Sequence, residues 1–204
     1  MKSSPTLDVL VIGGSGRVGA STVHWLNKLS RRCSEGTPFR LAIGGRSRAN
    51  FESVRNRLQL PELAFRPVDV EAGAESLISS VRDARLVVHT AGPFQGRSQP
   101  DLLRACIAAG VAYCDVCDEF VLSRHARQLS DDAAAAGIPA VVSCGIWPGV
   151  SALLAAKAVQ QLGGPQVCDR VDLSFFTAGS GGAGPTIVSA TFLLLATRVL
   201  TFVD

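Results

Sequence analysis

The sequence predicts an α/β protein built on a doubly wound parallel sheet with helices on both faces. Three observations predict it. Short apolar runs alternate with helix-periodic segments along most of the 204 residues. The runs are β-branched and aliphatic without polar alternation, as in strands buried on both faces. A glycine-rich turn then joins the first run to the first periodic segment, which is how a βαβ unit begins. With 47% hydrophobic and 18% charged residues and a mean hydropathy of +0.27, a disordered chain is excluded. The length allows one full domain and part of a second.

The elements follow in order. Strands are expected at Asp8–Ile12, Phe39–Ile43, Ala64–Val68, Arg85–Thr90, Val111–Asp115, Ile138–Ser143 and Val171–Thr177, each four to seven residues of mainly aliphatic character. Helices are expected between them at Val18–Ser30, Arg48–Leu58, Ala74–Val81, Pro100–Ala109, Leu122–Ala136 and Val150–Leu162. Gly110 and Gly137 follow two of these helices at positions suited to a left-handed terminating residue. After Gly163 the texture changes to a glycine-rich loop, "FFTAGSGGAGPT", and the apolar run Ile187–Leu195. That segment cannot bury a second core alone. Residues 1–162 are therefore read as one domain, and 163–204 as the opening of a truncated α+β domain for substrate or dimerisation, cut short or completed by another chain.

Net charge is +3, with 20 Lys/Arg against 17 Asp/Glu. Residues 1–66 carry 11 Lys/Arg and 4 Asp/Glu, an excess of +7. These positive residues are dispersed among apolar runs, which suits a site for a small polyanion better than a nucleic-acid arm. Six cysteines are too sparse for a disulfide scaffold. The opening "MKSSPT" lacks the apolar core of a signal peptide. Gly137–Ala156 is uncharged, but Pro139, Ser143, Gly145, Pro148 and Gly149 divide it into strand, turn and helix start, so no membrane span is expected. The expectation is a soluble protein of a reducing intracellular compartment, with no organelle specified.

The strongest functional signal is "DVLVIGGSGRVGAS". Gly14, Gly16 and Gly19 fit G-x-G-x-x-G, and Gly13, Gly16 and Gly19 fit a looser spacing. Such glycines allow a tight turn, backbone approach to a pyrophosphate and close helix–strand packing. The loop Gly13, Gly14, Ser15, Gly16, Arg17, Val18 and Gly19 is therefore assigned to the phosphates of a dinucleotide, at the positive end of the following helix. At the end of the second strand, "GGRSRAN" offers Arg46, Ser47 and Arg48 and no acid before Glu52. An NAD site places a carboxylate there for the ribose 2′-hydroxyl; a guanidinium suits the 2′-phosphate of NADP(H). The alternative is that Arg46 and Arg48 only solvate a helix start. Asp69 and Val70 would flank the adenine, unless Asp69 caps the next helix. Ala91, Gly92, Pro93 and Phe94 would line the nicotinamide side.

Other candidates are weaker. Cys114 and Cys117 form a single C-x-x-C, and His125 cannot complete a tetrahedral zinc site with it, so no metal is expected. Asp115, Asp118 and Glu119 hold a substrate amino group or form a solvated loop and helix cap. His89 is a general acid or a packed side chain with one backbone hydrogen bond. The single tyrosine, Tyr113, has Cys117 four residues on, which excludes the Tyr-x-x-x-Lys scheme of short-chain reductases.

The segments "VLVIGGSGRVG", "GGRSRAN", "VVHTAGPFQGRSQPDLLRACIAAGVAYCDVCDE" and "GIPAVVSCGIWPGVSALLA" resemble the saccharopine dehydrogenase-like superfamily over about residues 8–160. The resemblance implies a Rossmann-type NADP-binding domain followed by a substrate domain, here represented only by its entry. It also implies an NADP(H)-dependent oxidoreductase exchanging hydride with a small-molecule substrate, with no catalytic acid or base assigned. The alternatives are an NADP(H)-binding sensor or scaffold without turnover, which would recruit a homodimer mate or partner chain through Ile187–Leu195, and an inactive fragment.

Overall fold

The computed structural model describes residues 6–33, 38–176 and 185–196. Six strands, β1 (Leu7–Ile12), β2 (Leu41–Gly45), β3 (Ala64–Pro67), β4 (Ala84–His89), β5 (Ala112–Asp115) and β6 (Ala140–Val141), form one sheet in the order β3-β2-β1-β4-β5-β6. Every pairing is parallel. This is the doubly wound Rossmann order, with its reversal between β1 and β4. The helices are α1 (Arg17–Cys33), α2 (Arg48–Leu58), α3 (Ala74–Val81), α4 (Asp101–Ala109), α5 (Phe120–Arg127), α6 (Ser130–Ala135), α7 (Val150–Gln161) and α8 (Pro185–Leu195), with a 3-10 turn at Pro165–Val167.

The missing polar alternation in β1 now has its cause. Val9 and Val11 point to one face, against Val23 of α1 and Phe51 and Val54 of α2. Leu10 and Ile12 point to the other, against Leu77 and Val81 of α3 and Leu102 and Cys106 of α4. A strand covered on both sides must be apolar at consecutive positions. At the opposite end of the sheet from the glycine turn, the Arg40 side chain donates to both Asp8 carboxylate oxygens from 3.1 Å. Its guanidinium holds the Asp8 carboxyl below the usual carboxylate range. Gly110 and Gly137 have positive φ, 68° and 67°, at the helix ends where the sequence placed them.

Three expectations change. The expected helix Leu122–Ala136 is two helices, broken at Gln128–Leu129, where Leu129 turns back on the Ala126 carbonyl and Ser130 Oγ donates to Arg127. The sixth strand is only Ala140–Val141, because Asp115 draws the chain off the sheet just beyond it. Residues 171–176 form no strand. Their backbone joins no sheet edge among the described residues; Phe175 packs edge-on against Trp147 at 4.9 Å, while Phe176 is 90% exposed. Thr177 and most of the glycine-rich loop lie outside the described residues. The apolar run at the end does form a helix, α8, on which Phe192 and Leu195 are exposed. No side chain of α7 is buried. Among the described residues no helix is long and apolar enough to cross a membrane.

Candidate cofactor site and the polar groups beside it

The glycine turn lies between β1 and α1, at the carboxyl end of the central strand. Gly13 has φ +79°, and a Cβ there would sit 2.6 Å from the Ala91 nitrogen. A side chain on Gly19 would collide with the Gly13 carbonyl and lie 2.7 Å from Thr90 Oγ1. Both positions need hydrogen because the loop after β4 is pressed against the turn. Thr90 fixes that approach, donating from its amide and its hydroxyl to the Ile12 carbonyl at 2.8 Å each. The backbone around Gly13–Gly19 is thus bare on the side where α1 begins. Helix geometry leaves the first N–H groups of α1, at Arg17, Val18 and Gly19, without intrahelical partners. Ser15 Oγ is buried in the same turn and has no described partner. A cramped glycine cradle with an orphaned hydroxyl and free amides fits a pyrophosphate.

The structure sorts the three residues after β2. Ser47 is occupied, its Oγ accepting from the Asn50 amide at 3.2 Å as the cap of α2. Arg48 lies over the Phe65 ring, 5.0 Å from its centroid. Arg46 is exposed, and among the described residues it has no hydrogen bond, ion pair or ring contact. The nearest acid in sequence, Glu52, is engaged by Arg55 at 2.7 Å. Asp69 does not cap α3, whose N-cap is Gly73; its carboxylate accepts from the Glu71 amide and shapes the turn. Val70 is half-buried against the core. Ala91 backs onto Gly13, while Gly92 is exposed and its nearest neighbours are atoms of Phe94, with Pro93 between them. Phe94 instead faces inward, packed with Cys117 and Leu122 and edge-on to His89 at 5.0 Å.

Sequence reasoning missed what His89 does. Besides the backbone of Ala91, it has a side-chain partner, the Tyr113 hydroxyl, at 3.1 Å from Nδ1. Tyr113 in turn donates to Asp115 Oδ2 at 3.0 Å. Asp115 Oδ1 accepts from the amides of Cys117 and Ser143 at 3.0 and 2.7 Å. Asp115 is therefore buried and fully engaged, not part of a solvated acidic loop. Burial pushes His89 down to about 4, with the Arg97 guanidinium adding to this and the Ala91 carbonyl opposing it. Burial and the neighbouring Asp115 raise the Tyr113 phenol well above its ordinary value. Only part of the signal lay in the sequence: Tyr113 and Asp115 are two apart on a buried strand, hence on one face, whereas the pairing of Asp115 with His89 is set by the strand register.

The other two acids are structural ties. Asp118 accepts from Gln95 at 2.8 Å, and Glu119 caps α5 while also accepting from the Gly96 amide. His125 Nδ1 meets the Ser98 carbonyl at 2.7 Å. Cys114 and Cys117 pack into different apolar clusters. Burial pushes Cys114 up to about 11 and raises Cys117 as well, so neither thiol is activated. Among the described residues no group of three or more His, Cys, Asp or Glu is arranged to hold a metal ion.

Comparison with known proteins converges on this sheet. The profile of the saccharopine dehydrogenase NADP-binding domain matches residues 9–141. A Mycobacterium tuberculosis protein that carries the name of a trans-acting enoyl reductase is 30% identical over 140 residues, covering 68% of this chain and 32% of that protein. The chain thus spans about a third of the length of the curated relatives it matches. Apo saccharopine dehydrogenase (L-Glu forming) from Saccharomyces cerevisiae superposes with a TM-score of 0.55 at 18% identity, over 76% of this chain and 31% of that one. That likeness shows a shared fold.

Proposed function

This chain belongs to the saccharopine dehydrogenase NADP-binding domain family, and from that premise we propose that it is the cofactor-binding part of an NADP(H)-dependent oxidoreductase acting on a small molecule. The observation that carries the reading is the pairing of a phosphate turn at Gly13–Gly19, in which Gly13 and Gly19 have no room for a Cβ, with an uncommitted guanidinium, Arg46, at the end of β2. The main-chain amides of Ser15, Arg17 and Val18 and the Ser15 hydroxyl would hold the pyrophosphate. Arg46 would bind the 2′-phosphate, with Ser47 and Arg48 positioning the turn around it. Asp69 and Val70 stand on the adenine side. Ala91, Gly92 and Pro93 border the nicotinamide, and Phe94 anchors their loop from beneath. Bound NADP(H) supplies hydride-transfer chemistry, while the protein supplies orientation and electrostatics.

The names of the relatives side with an enzyme over a sensor without turnover. Residues 163–204 are read as the entry to a second, substrate-side or dimerisation domain. In the working protein the exposed apolar side chains of α7 and α8 are covered, by that domain or by another chain. Isothermal titration with NADPH, NADP, NADH and NAD tests the core of the proposal. Binding of the two 2′-phosphorylated forms, at least tenfold tighter than their counterparts, is expected. Equal affinities, or no binding of any of the four, overturns it.

A further inference from the structure

The two loops assigned to the two ends of the cofactor are each pinned, and an ion pair joins them. On the adenine side the chain turns just after β3. The Asp69 carboxylate accepts from the Glu71 amide at 3.1 Å, and the Asp69 carbonyl accepts from the Ala72 amide at 3.1 Å. That turn sets Glu71 in place directly after Val70. On the nicotinamide side the loop after β4 is tied residue by residue. Phe94 is buried beside Cys117 and Leu122. Gln95, also buried, donates from Nε2 to Asp118 Oδ1 at 2.8 Å, and the Gly96 amide donates to Glu119 Oε2 at 3.3 Å. The Arg97 amide closes the loop on the Phe94 carbonyl at 3.1 Å.

The Arg97 side chain reaches both ways. Its Nε donates to the Pro93 carbonyl at 3.2 Å, within its own loop, and its Nη1 meets Glu71 Oε1 at 2.5 Å, in the other. Both loops line one cavity of about 250 Å³, Val70 and Glu71 from the first and Gly96 and Arg97 from the second. Where they face it, they are parted by open space and not by packed side chains, so a contact that spans the gap sets their separation. A guanidinium suits that task. It is planar, with several donors in a fixed fork, and holds two partners in different directions at one spacing. An ammonium is a point charge on a flexible stem and fixes no such angle.

We propose that Arg97, braced on Glu71, is a positioning residue for the cofactor. It sets the distance between the adenine-side turn and the nicotinamide-side loop, so that both ends of one NADP(H) molecule are held at once. The proposal rests on the oxidoreductase reading above, which supplies the two ends. Arg97 acts through Pro93 and its loop, not by contact with the hydride-bearing ring. The expected effect is modest. The Arg97 side chain is 33% exposed and that of Glu71 63%, and ion pairs this open shift an equilibrium by at most about fivefold. A two-ended ligand widens the loss, because its second end binds at an effective concentration set by how well the two half-sites are spaced.

The test compares NADPH with 2′,5′-ADP, which keeps the adenine, its ribose and the 2′-phosphate but lacks the nicotinamide. In calorimetric titrations Arg97→Ala should weaken NADPH about three- to tenfold while 2′,5′-ADP stays within about twofold. Glu71→Ala should repeat the pattern, and the double variant should bind no more weakly than Arg97→Ala alone, as for two residues acting as one unit. At saturating NADPH, the emission of the bound reduced nicotinamide should move toward that of the free cofactor in Arg97→Ala, a change that general loss of stability does not produce. Equal losses for both ligands in Arg97→Ala, losses that add in the double variant, or unchanged NADPH binding and emission overturn the brace and leave the cofactor reading standing. A wild-type chain that does not bind NADPH overturns both.

Discussion

Replacing Arg46 with alanine tests how this chain would tell NADPH from NADH. The structure separates Arg46 from its neighbours. Ser47 Oγ is committed to the Asn50 amide, Arg48 lies on Phe65, and Glu52 is held by Arg55. Arg46 alone is free to meet a phosphate. A hydrogen bond to a charged group contributes about 1.5–3 kcal/mol, so Arg46→Ala should weaken NADPH about 10- to 150-fold. NADH lacks the 2′-phosphate and should change little. Because the guanidinium is exposed, the loss should shrink as added salt screens the wild-type contact. Arg48→Ala is the comparison: it removes a ring contact of about 0.5–1 kcal/mol and, since Arg48 only positions the turn, should change the NADPH-to-NADH ratio far less than Arg46→Ala. Calorimetric titration of both cofactors into the three proteins, at low and high salt, decides. Equal losses for both cofactors in Arg46→Ala, or a larger change of ratio in Arg48→Ala, would refute the assignment.

Gly13→Ala places a Cβ within 2.6–2.8 Å of the Thr90–Ala91 backbone at φ +79°. Left-handed backbone alone costs roughly 1–2 kcal/mol, so chemical denaturation should show at least that loss together with abolished NADPH binding; a wild-type profile would show that the loop after β4 is not pressed on the turn. For His89, native basicity is depressed from 6.5 to about 4. Stability is therefore full above pH 6.5 and falls as pH drops towards 4, because only the unfolded chain takes up the proton. The fall amounts to about 3 kcal/mol at ~1.36 kcal/mol per pH unit, and urea unfolding across pH 7 to 4 should lose that slope in His89→Gln. Leu10, 0% exposed in the central strand, should cost about 2–5 kcal/mol when cut to alanine; a loss below 1 kcal/mol would contradict a two-layered core around β1.

The sequence showed where the strands alternate with helices, because burial on both faces writes itself as uninterrupted aliphatic runs such as "DVLVI". It showed the phosphate turn because glycine is required there by contact, not by composition. What it hid depends on neighbours distant in sequence. Val171–Thr177 reads as a strand from its side chains alone, yet a strand also needs an edge to pair with, and residues 171–176 have none among the described residues. The end of β6 is set by the Asp115 carboxylate, 28 residues away from the Ser143 amide it captures. Among the three residues after β2, Ser47 is taken by a local cap three residues on, and only the tertiary contact of Arg48 with Phe65 sets it apart from Arg46. The His89–Tyr113–Asp115 chain required the register of β4 against β5, which no local pattern encodes.

Asp115 also does something outside its own pocket. Its Oδ1 grips Ser143, its main-chain oxygen receives the Cys144 amide at 2.8 Å, and at Ser143 the backbone swings to φ 61° on its way to α7. One carboxylate thus helps fix where the chain leaves the sheet: Asp115→Ala would set the Ser143 amide loose and leave the departure of the chain toward α7 held by the main-chain bond to Cys144 alone.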